Sequence, residues 1–387
     1  MHPPLASPVV LLLAGEPSGD VHAARLARSL RRRWPDCRIL GTGGERMAAA
    51  GVELLAGLDD LAVMGFVEVL SRLSFFWKLE RRVVQAIRSE RVDLVILVDY
   101  PGFNFRVARH ARDEGVPVLY YIAPQVWAWR AKRAAQLARL TDRIAVILPF
   151  EEEIFRAAGG KAVFVGHPLL DRDEPVASRE EFCRAEGLDP ARPILALFPG
   201  SRRQEVRRHL GPFLETGRRL ADERRGLQLM IARSEGLPLD LPDGSGAVVT
   251  SDSRALLRHA RAALVKSGTT TLEAALEGTP FVVAYRTHPI TFRVAQRLVR
   301  VDHIALANLV AGEAVVEEIL QDRVTAEVLG KAILPLLDDT DTRRMMLAGL
   351  ARVRSRLGSP GAADRVAELA AEVLAGGEGG RRTASLP

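Results

Sequence analysis

Short apolar runs alternate along the chain with longer segments in which apolar residues recur at helical spacing. In the first half the runs fall at 9–15, 38–41, 93–99, 116–122, 143–148 and 163–166; the second half repeats the style at 194–198, 227–232, 247–250, 263–265 and 281–284. A run that is apolar at nearly every position, rather than at every second one, predicts a strand covered on both faces. Helices between such strands supply both the cover and the crossover. The pattern predicts an α/β protein with parallel sheets in two doubly wound domains.

The join is expected between 166 and 193, where GHPLLDRDEPVASREEF mixes proline, charge and turn residues before a fresh strand begins. That gives an N-terminal domain over 1–170 and a C-terminal domain over 190–357. Helical spacing continues to 374, which predicts a C-terminal helix over 358–375 and a flexible tail over 376–387, where GGEGGRRTASLP offers little to bury. The first apolar run has about seven apolar residues and no basic leader, too few for a signal peptide. No stretch reaches the roughly 20 apolar residues of a membrane span, so a cytoplasmic chain that touches a membrane without crossing it is expected.

Composition changes this picture only in part. At 387 residues the chain exceeds what one core usually organises, which fits two domains. With 48% hydrophobic and 26% charged residues it is globular rather than disordered. Cys37 and Cys183 lie far apart without ligand-like neighbours, against a disulfide scaffold or a zinc site and in keeping with a reducing compartment. The net charge of +6 suits an anionic partner such as anionic lipid, a phosphorylated substrate or nucleic acid. Arg25, Arg28, Arg31, Arg32 and Arg33, however, fall where a helix would face solvent. No helix-turn-helix, RNA-recognition or zinc-finger pattern supports nucleic acid.

Four loops carry chemistry. KSGTTTLEAALEGTP places Ser267, Gly268, Thr269 and Thr270 at a helix start, with Glu273 one turn in. Backbone N–H groups, hydroxyls and the positive helix end suit a diphosphate, and a carboxylate there can accept from a ribose diol. In LFPGSRRQE, Gly200, Ser201 and Arg202 follow a strand, where open α/β sheets bind ligands, and Arg202 brings a guanidinium. Each could equally be an ordinary strand-to-helix turn. GEPSGD supplies Gly15, Glu16, Ser18, Gly19 and Asp20 after the first strand; it is not a dinucleotide fingerprint, and Ser18 or Asp20 could simply cap the next helix. In VDYPGFN, Asp99 closes a strand and is placed as a general base or as a cap. LAVMGFVEVLSRLSFFW at 61–77, with Val63, Met64, Phe66, Val67 and Leu70 and followed by Lys78, Arg81 and Arg82, reads as an interfacial helix or as a core helix under a charged rim. Tyr120, Tyr121, Trp127 and Trp129 could line an acyl groove or fill the core.

GEPSGD, LAVMGFVEVL, VDYPGFN, PQVWAWR, GHPLLD, LFPGSRRQEV, KSGTTTLEAALEGTPFVVAYR, RLVRVDHIALANLVAG and EEILQ, in this order over about 9–370, resemble the lipid-A-disaccharide synthase family of inverting glycosyltransferases. The resemblance implies the GT-B fold, two Rossmann-like domains facing a cleft, with the acceptor and membrane on the N-terminal side and the UDP-sugar on the C-terminal side. It implies transfer from UDP-2,3-diacylglucosamine to 2,3-diacylglucosamine 1-phosphate, at the cytoplasmic face of a bacterial inner membrane with an anionic surface. A homodimer is a further expectation.

The same resemblance puts the family's essential aspartate on Asp99, its Gly-Ser-Arg arginine on Arg202, a ribose-binding glutamate on Glu273 and an acceptor-side asparagine on Asn308. The chain departs from the family at Leu306-Ala307-Asn308 and at Gly312-Glu313-Ala314, and no role passes to Glu313. The residues agree with one inverting displacement, Asp99 as base and Arg202 with the two loops stabilising the leaving UDP. Asp20, Glu16 and His22 stand in reserve as bases. No Asp-x-Asp pair suggests a metal, and no cofactor is expected. A UDP-sugar epimerase of the same fold is the competing reading.

Overall fold

The computed structural model describes residues 7–58, 73–126, 131–234, 236–242, 244–298 and 302–381. The chain divides into two compact units, Met1–Asp171 with Gly358–Pro387, and Arg172–Leu357.

Among the described residues of the first unit, β1 (Val9–Leu13), β2 (Arg38–Gly43), β3 (Glu53–Gly57), β4 (Leu94–Val98), β5 (Val118–Tyr121), β6 (Arg143–Val146) and β7 (Ala162–Phe164) form one sheet. Their order is β3-β2-β1-β4-β5-β6-β7, and every pair is parallel. In the second unit β8 (Ile194–Phe198), β9 (Gln228–Ala232), β10 (Ala247–Thr250), β11 (Ala262–Lys266), β12 (Phe281–Tyr285) and β13 (Glu318–Leu320) form another parallel sheet, ordered β10-β9-β8-β11-β12-β13. These are the two doubly wound α/β sheets that the apolar runs predict.

Both faces of the first sheet are covered. Val10, Leu12, Leu94, Ile96 and Val98 pack with Leu26 and Leu30 of the helix Pro17–Arg33, while Leu11, Leu13, Val95 and Leu97 pack on the opposite face with Val83 and Ile87 of the helix Leu73–Ser89 and Val107 of the helix Pro101–Asp113. Two strands escape the sequence reading. β3 and β13 are edge strands with mixed burial, so neither shows the continuous apolar run of a central strand.

The last helix, Ala362–Arg381, belongs to the first unit. The Asp171 carboxylate caps it, accepting from the N–H groups of Gly361 (2.6 Å) and Ala362 (3.1 Å), and Val366, Leu369, Ala370 and Val373 enter the core under β4 and β5. The helix runs past 375 into the glycine-rich stretch read as tail. Once packing has nucleated a helix, each added turn is cheap, and a glycine costs only about 1 kcal/mol.

Each sheet has one place where the strand order reverses, between β1 and β4 in the first and between β8 and β11 in the second. At such a point successive helices leave on opposite faces and open a crevice beyond the strand ends. The four loops singled out in the sequence are the loops that follow these four strands.

Candidate active site

In the first unit, register pairs Leu13 with Leu97, so the loops after β1 and β4 emerge side by side. The β4 loop is held tightly. Asp99 and Tyr100 both take left-handed φ of 47°, which costs a non-glycine residue roughly 1–3 kcal/mol and persists only where surroundings impose it. Those surroundings are visible. Asp99 donates its N–H to the Tyr121 carbonyl (3.0 Å), and its own carbonyl accepts from Asn104 Nδ2 (2.6 Å) and from the Tyr120 hydroxyl (2.6 Å). The Tyr100 ring then packs against Gly15, where a Cβ would come within 2.4 Å of ring carbons; only glycine fits. Pro101 starts the next helix immediately.

Backbone and neighbours thus fix Asp99 while its half-buried carboxylate gains little support. Burial pushes its pKa up to about 6, the Glu16 charge adds to the rise, and the Tyr100 N–H offsets only part. Glu16 and Ser18 are exposed beside this turn, and Gly19 is buried. Asp20 is engaged in structure. Its buried carboxylate accepts from the N–H groups of Gly44 (2.7 Å), Arg46 (3.2 Å) and Met47 (3.1 Å), tying the first helix to the loop after β2. It caps a neighbouring helix rather than its own, which sequence spacing does not reveal.

In the second unit Val265 pairs with Phe198, which brings the β8 and β11 loops together. Gly200 takes φ of 124°, and a Cβ there would lie 2.6 Å from Glu205 Cβ. Arg202 is exposed at the start of the helix Arg203–Glu223. The N–H groups of Ser201 and Arg202, expected to face a diphosphate, donate to Glu205 Oε2 (3.1 and 3.3 Å). The Ser267 hydroxyl likewise donates to the Ile304 carbonyl (2.9 Å). By contrast, among the described residues no side chain caps the helix Thr270–Glu277, whose first turn follows Gly268 and the exposed Thr269. Glu273 lies one turn in, and its Oε1 accepts from Arg172 (2.7 Å).

Asn308 is a scaffold residue. Nδ2 donates to the Val316 carbonyl (2.9 Å) and Glu318 Oε1 (2.8 Å), and Oδ1 accepts from the N–H groups of Val315 and Val316 (2.9 Å each), so an amide's full capacity is used. Tyr120 and Tyr121 are core residues, not an acyl groove. Val63, Met64, Phe66, Val67 and Leu70 lie outside the described residues, as do Trp127 and Trp129.

The sequence reading passed over several contributors. Asn104 and Tyr120 hold the Asp99 turn, Arg172 orients Glu273, and Lys266 at the end of β11 pairs with Glu205 (2.7 Å). Glu205 carries a sequence signal, an acid three residues past a helix start. His209 Nδ1 donates to the Glu205 carbonyl (2.8 Å), and its Nε2 accepts the Arg286 N–H (2.9 Å). Burial holds its pKa down, and only the neutral ring satisfies both contacts.

A family model for lipid-A-disaccharide synthetase matches residues 10–359. The lipid-A-disaccharide synthase of Geobacter metallireducens is 44% identical over 94% of this chain and 97% of its own. That of Myxococcus xanthus is 41% identical over 95% and 98%. In fold, the chain is similar to a UDP-GlcNAc 2-epimerase from Neisseria meningitidis bound to UDP-GlcNAc (TM-score 0.65, 12% identity, covering 94% of this chain and 100% of that one). It is equally similar to the glycotransferase of kitacinnamycin (TM-score 0.64, 16% identity, covering 94% and 98%).

Proposed function

The chain belongs to the lipid-A-disaccharide synthetase family, and from that premise we propose how its residues carry out the reaction. It is a glycosyltransferase of lipid A biosynthesis. It moves 2,3-diacylglucosamine from UDP-2,3-diacylglucosamine to 2,3-diacylglucosamine 1-phosphate, forming the β-1′,6-linked disaccharide 1-phosphate and UDP.

Transfer is a single inverting displacement. The Asp99 carboxylate takes the proton of the acceptor hydroxyl as its oxygen attacks the anomeric carbon, and the bond to the UDP oxygen breaks with its electron pair. The observation that carries this reading is the Asp99 turn: a strained, triply held backbone presenting a carboxylate whose pKa is about 6, near the value at which a base is both ionised and basic at neutral pH. The departing diphosphate is stabilised by Arg202 and by the uncapped start of the helix Thr270–Glu277, without a metal, while Glu273, steadied by Arg172, accepts from the ribose. Glu16 and Ser18 meet the acceptor.

Incubation with both diacylated sugars, followed by determination of the new anomeric linkage, tests this directly. A β-linked disaccharide is expected, and an α-linked one would sink single displacement. Epimerisation of UDP-N-acetylglucosamine by the same preparation would favour the competing reading.

The acylated substrates require a membrane surface, and we assign the chain to the cytoplasmic face as a peripheral protein. Among the described residues no helix is long and apolar enough to cross a membrane. At the start of the helix Leu73–Ser89, Trp77 is 60% exposed, with the Arg81 guanidinium 4.2 Å over its ring and Lys78 and Arg82 exposed nearby. An amphipathic ring beside cations suits an anionic interface. Flotation with anionic vesicles should weaken with salt and with Trp77→Ser at unchanged melting temperature. Flotation indifferent to both would exclude this contact.

A further inference from the structure

One carboxylate in the second unit collects the donor set of a phosphate site. Glu205 Oε1 accepts from the Lys266 ammonium at 2.7 Å, and Oε2 accepts from the N–H groups of Ser201 (3.1 Å) and Arg202 (3.3 Å). An ammonium with two backbone N–H groups at a helix start is what phosphate oxygens bind elsewhere. The ion pair spans the crevice between the β8 and β11 loops, because Glu205 follows one strand and Lys266 ends the other.

The ammonium also faces the uncapped helix start. A Cβ on Gly268 would sit 3.7 Å from Lys266 Nζ, so the cation lies beside the Ser267–Thr270 turn. The Tyr285 ring, at the end of β12, stands 6.0 Å from the same nitrogen. A helix cap needs no lysine, and a half-buried ion pair recovers little of its desolvation cost, so the pairing asks for a further reason.

We propose that Lys266 is a second cation for the donor's diphosphate, and that Glu205 is its resident counter-anion, holding that place until a nucleoside diphosphate displaces it. The inference rests on the reading that the β8 and β11 loops hold the donor. The exchange is mechanically simple. His209 clamps the Glu205 backbone, through its Nδ1 to the Glu205 carbonyl and its Nε2 to the Arg286 N–H, while the Glu205 side chain keeps three rotatable bonds. Its carboxylate can therefore swing without unwinding the helix. A diphosphate brings more charge and more acceptor oxygens to the same donors, so it wins them. Burial alone would raise the Glu205 pKa; Lys266 and the Ser201 N–H outweigh it and hold the group ionised, as a counter-anion must be.

Calorimetric titration of UDP and of uridine into the wild type, Lys266→Met, Glu205→Gln and Arg202→Ala, each with a thermal melt, tests the exchange. Lys266→Met should weaken UDP by about 10- to 100-fold, the worth of one charge-assisted contact, and leave uridine unchanged. Glu205→Gln, which keeps an acceptor but loses the competing charge, should bind UDP at least about threefold tighter, since a placeholder taxes apparent affinity. Three results overturn the proposal: UDP binding unchanged in Lys266→Met, equal loss of UDP and uridine in that variant, or weaker UDP binding in Glu205→Gln. Loss in Arg202→Ala alone would reject the role of Lys266 and spare the donor-site reading. A wild type that binds no UDP would reject that reading, and this inference with it.

Discussion

The two strand-order reversals are built alike and charged in opposite ways. Beside β1 and β4, the structure fixes an acid's backbone through Asn104, Tyr120 and Tyr121 and leaves the Asp99 carboxylate poorly supported, with Glu16 adding like charge. Beside β8 and β11, it surrounds a carboxylate with an ammonium and two N–H groups, so that Glu205 is held below its ordinary pKa. One crevice destabilises an anion and the other welcomes one. The proposed base and the proposed leaving-group cradle call for these opposite fields, and the same fold can hold both because each field is set by a few side chains beyond the strand ends.

Removing the destabilised charge is the strongest way to break the comparison. Asp99→Asn should lower kcat by about 10² to 10⁴, the range a general base contributes. The same change should stabilise the protein at pH 7 by on the order of 2 kcal/mol, since a carboxyl raised to about 6 disfavours its charged form in the folded state. That cost is absent below about pH 4 and grows as pH rises through about 6, so the melting temperatures of wild type and variant should converge in acid. Undiminished turnover, or a variant that melts lower at pH 7, would contradict the assignment.

Next in size is the exposed guanidinium on the welcoming side. Arg202→Ala should cost about 2–4 kcal/mol in kcat/KM, and Arg202→Lys, without the planar fork, should recover only part. Equal rates for all three proteins would reduce Arg202 to a surface residue. Assays in EDTA should retain full rate; loss restored by magnesium would refute the assignment of leaving-group stabilisation to protein groups alone.

The smallest effect sharpens the contrast instead of breaking it. The rate should climb with pH through about 6 as Asp99 ionises, and Glu16→Gln, by removing like charge, should move that limb to lower pH by a fraction of a unit. A limb that stays fixed would leave burial as the sole cause of the rise, and one that moves up would contradict the like-charge account.

How much of this was legible beforehand differs by level. Continuous apolar runs are enough to predict parallel sheets, because a strand covered on both faces must be apolar on both. The loops with reactive groups could be read too, since glycine, proline and an acid after such a run mark a turn at a strand's end. β3 and β13 escaped because each opens on a glutamate and offers only a two- or three-residue apolar run with mixed burial, too short to carry the pattern.

Side-chain partners are another matter. Asp20, Ser267 and Asn308 have the right chemistry for ligand binding, yet each satisfies backbone groups of another loop, Asp20 and Ser267 at the distant Gly44 and Ile304 and Asn308 at Val316. A buried donor or acceptor must be paired, and which one pairs with which is decided by proximity in space. The same reason explains why Asp99 could be named as a candidate while its strained backbone and raised pKa could not. The sequence by itself determined the two sheets and the four loops; only the tertiary structure decided which polar groups in those loops are left over for a substrate, because burial and partners are properties of neighbours that the chain brings from far away.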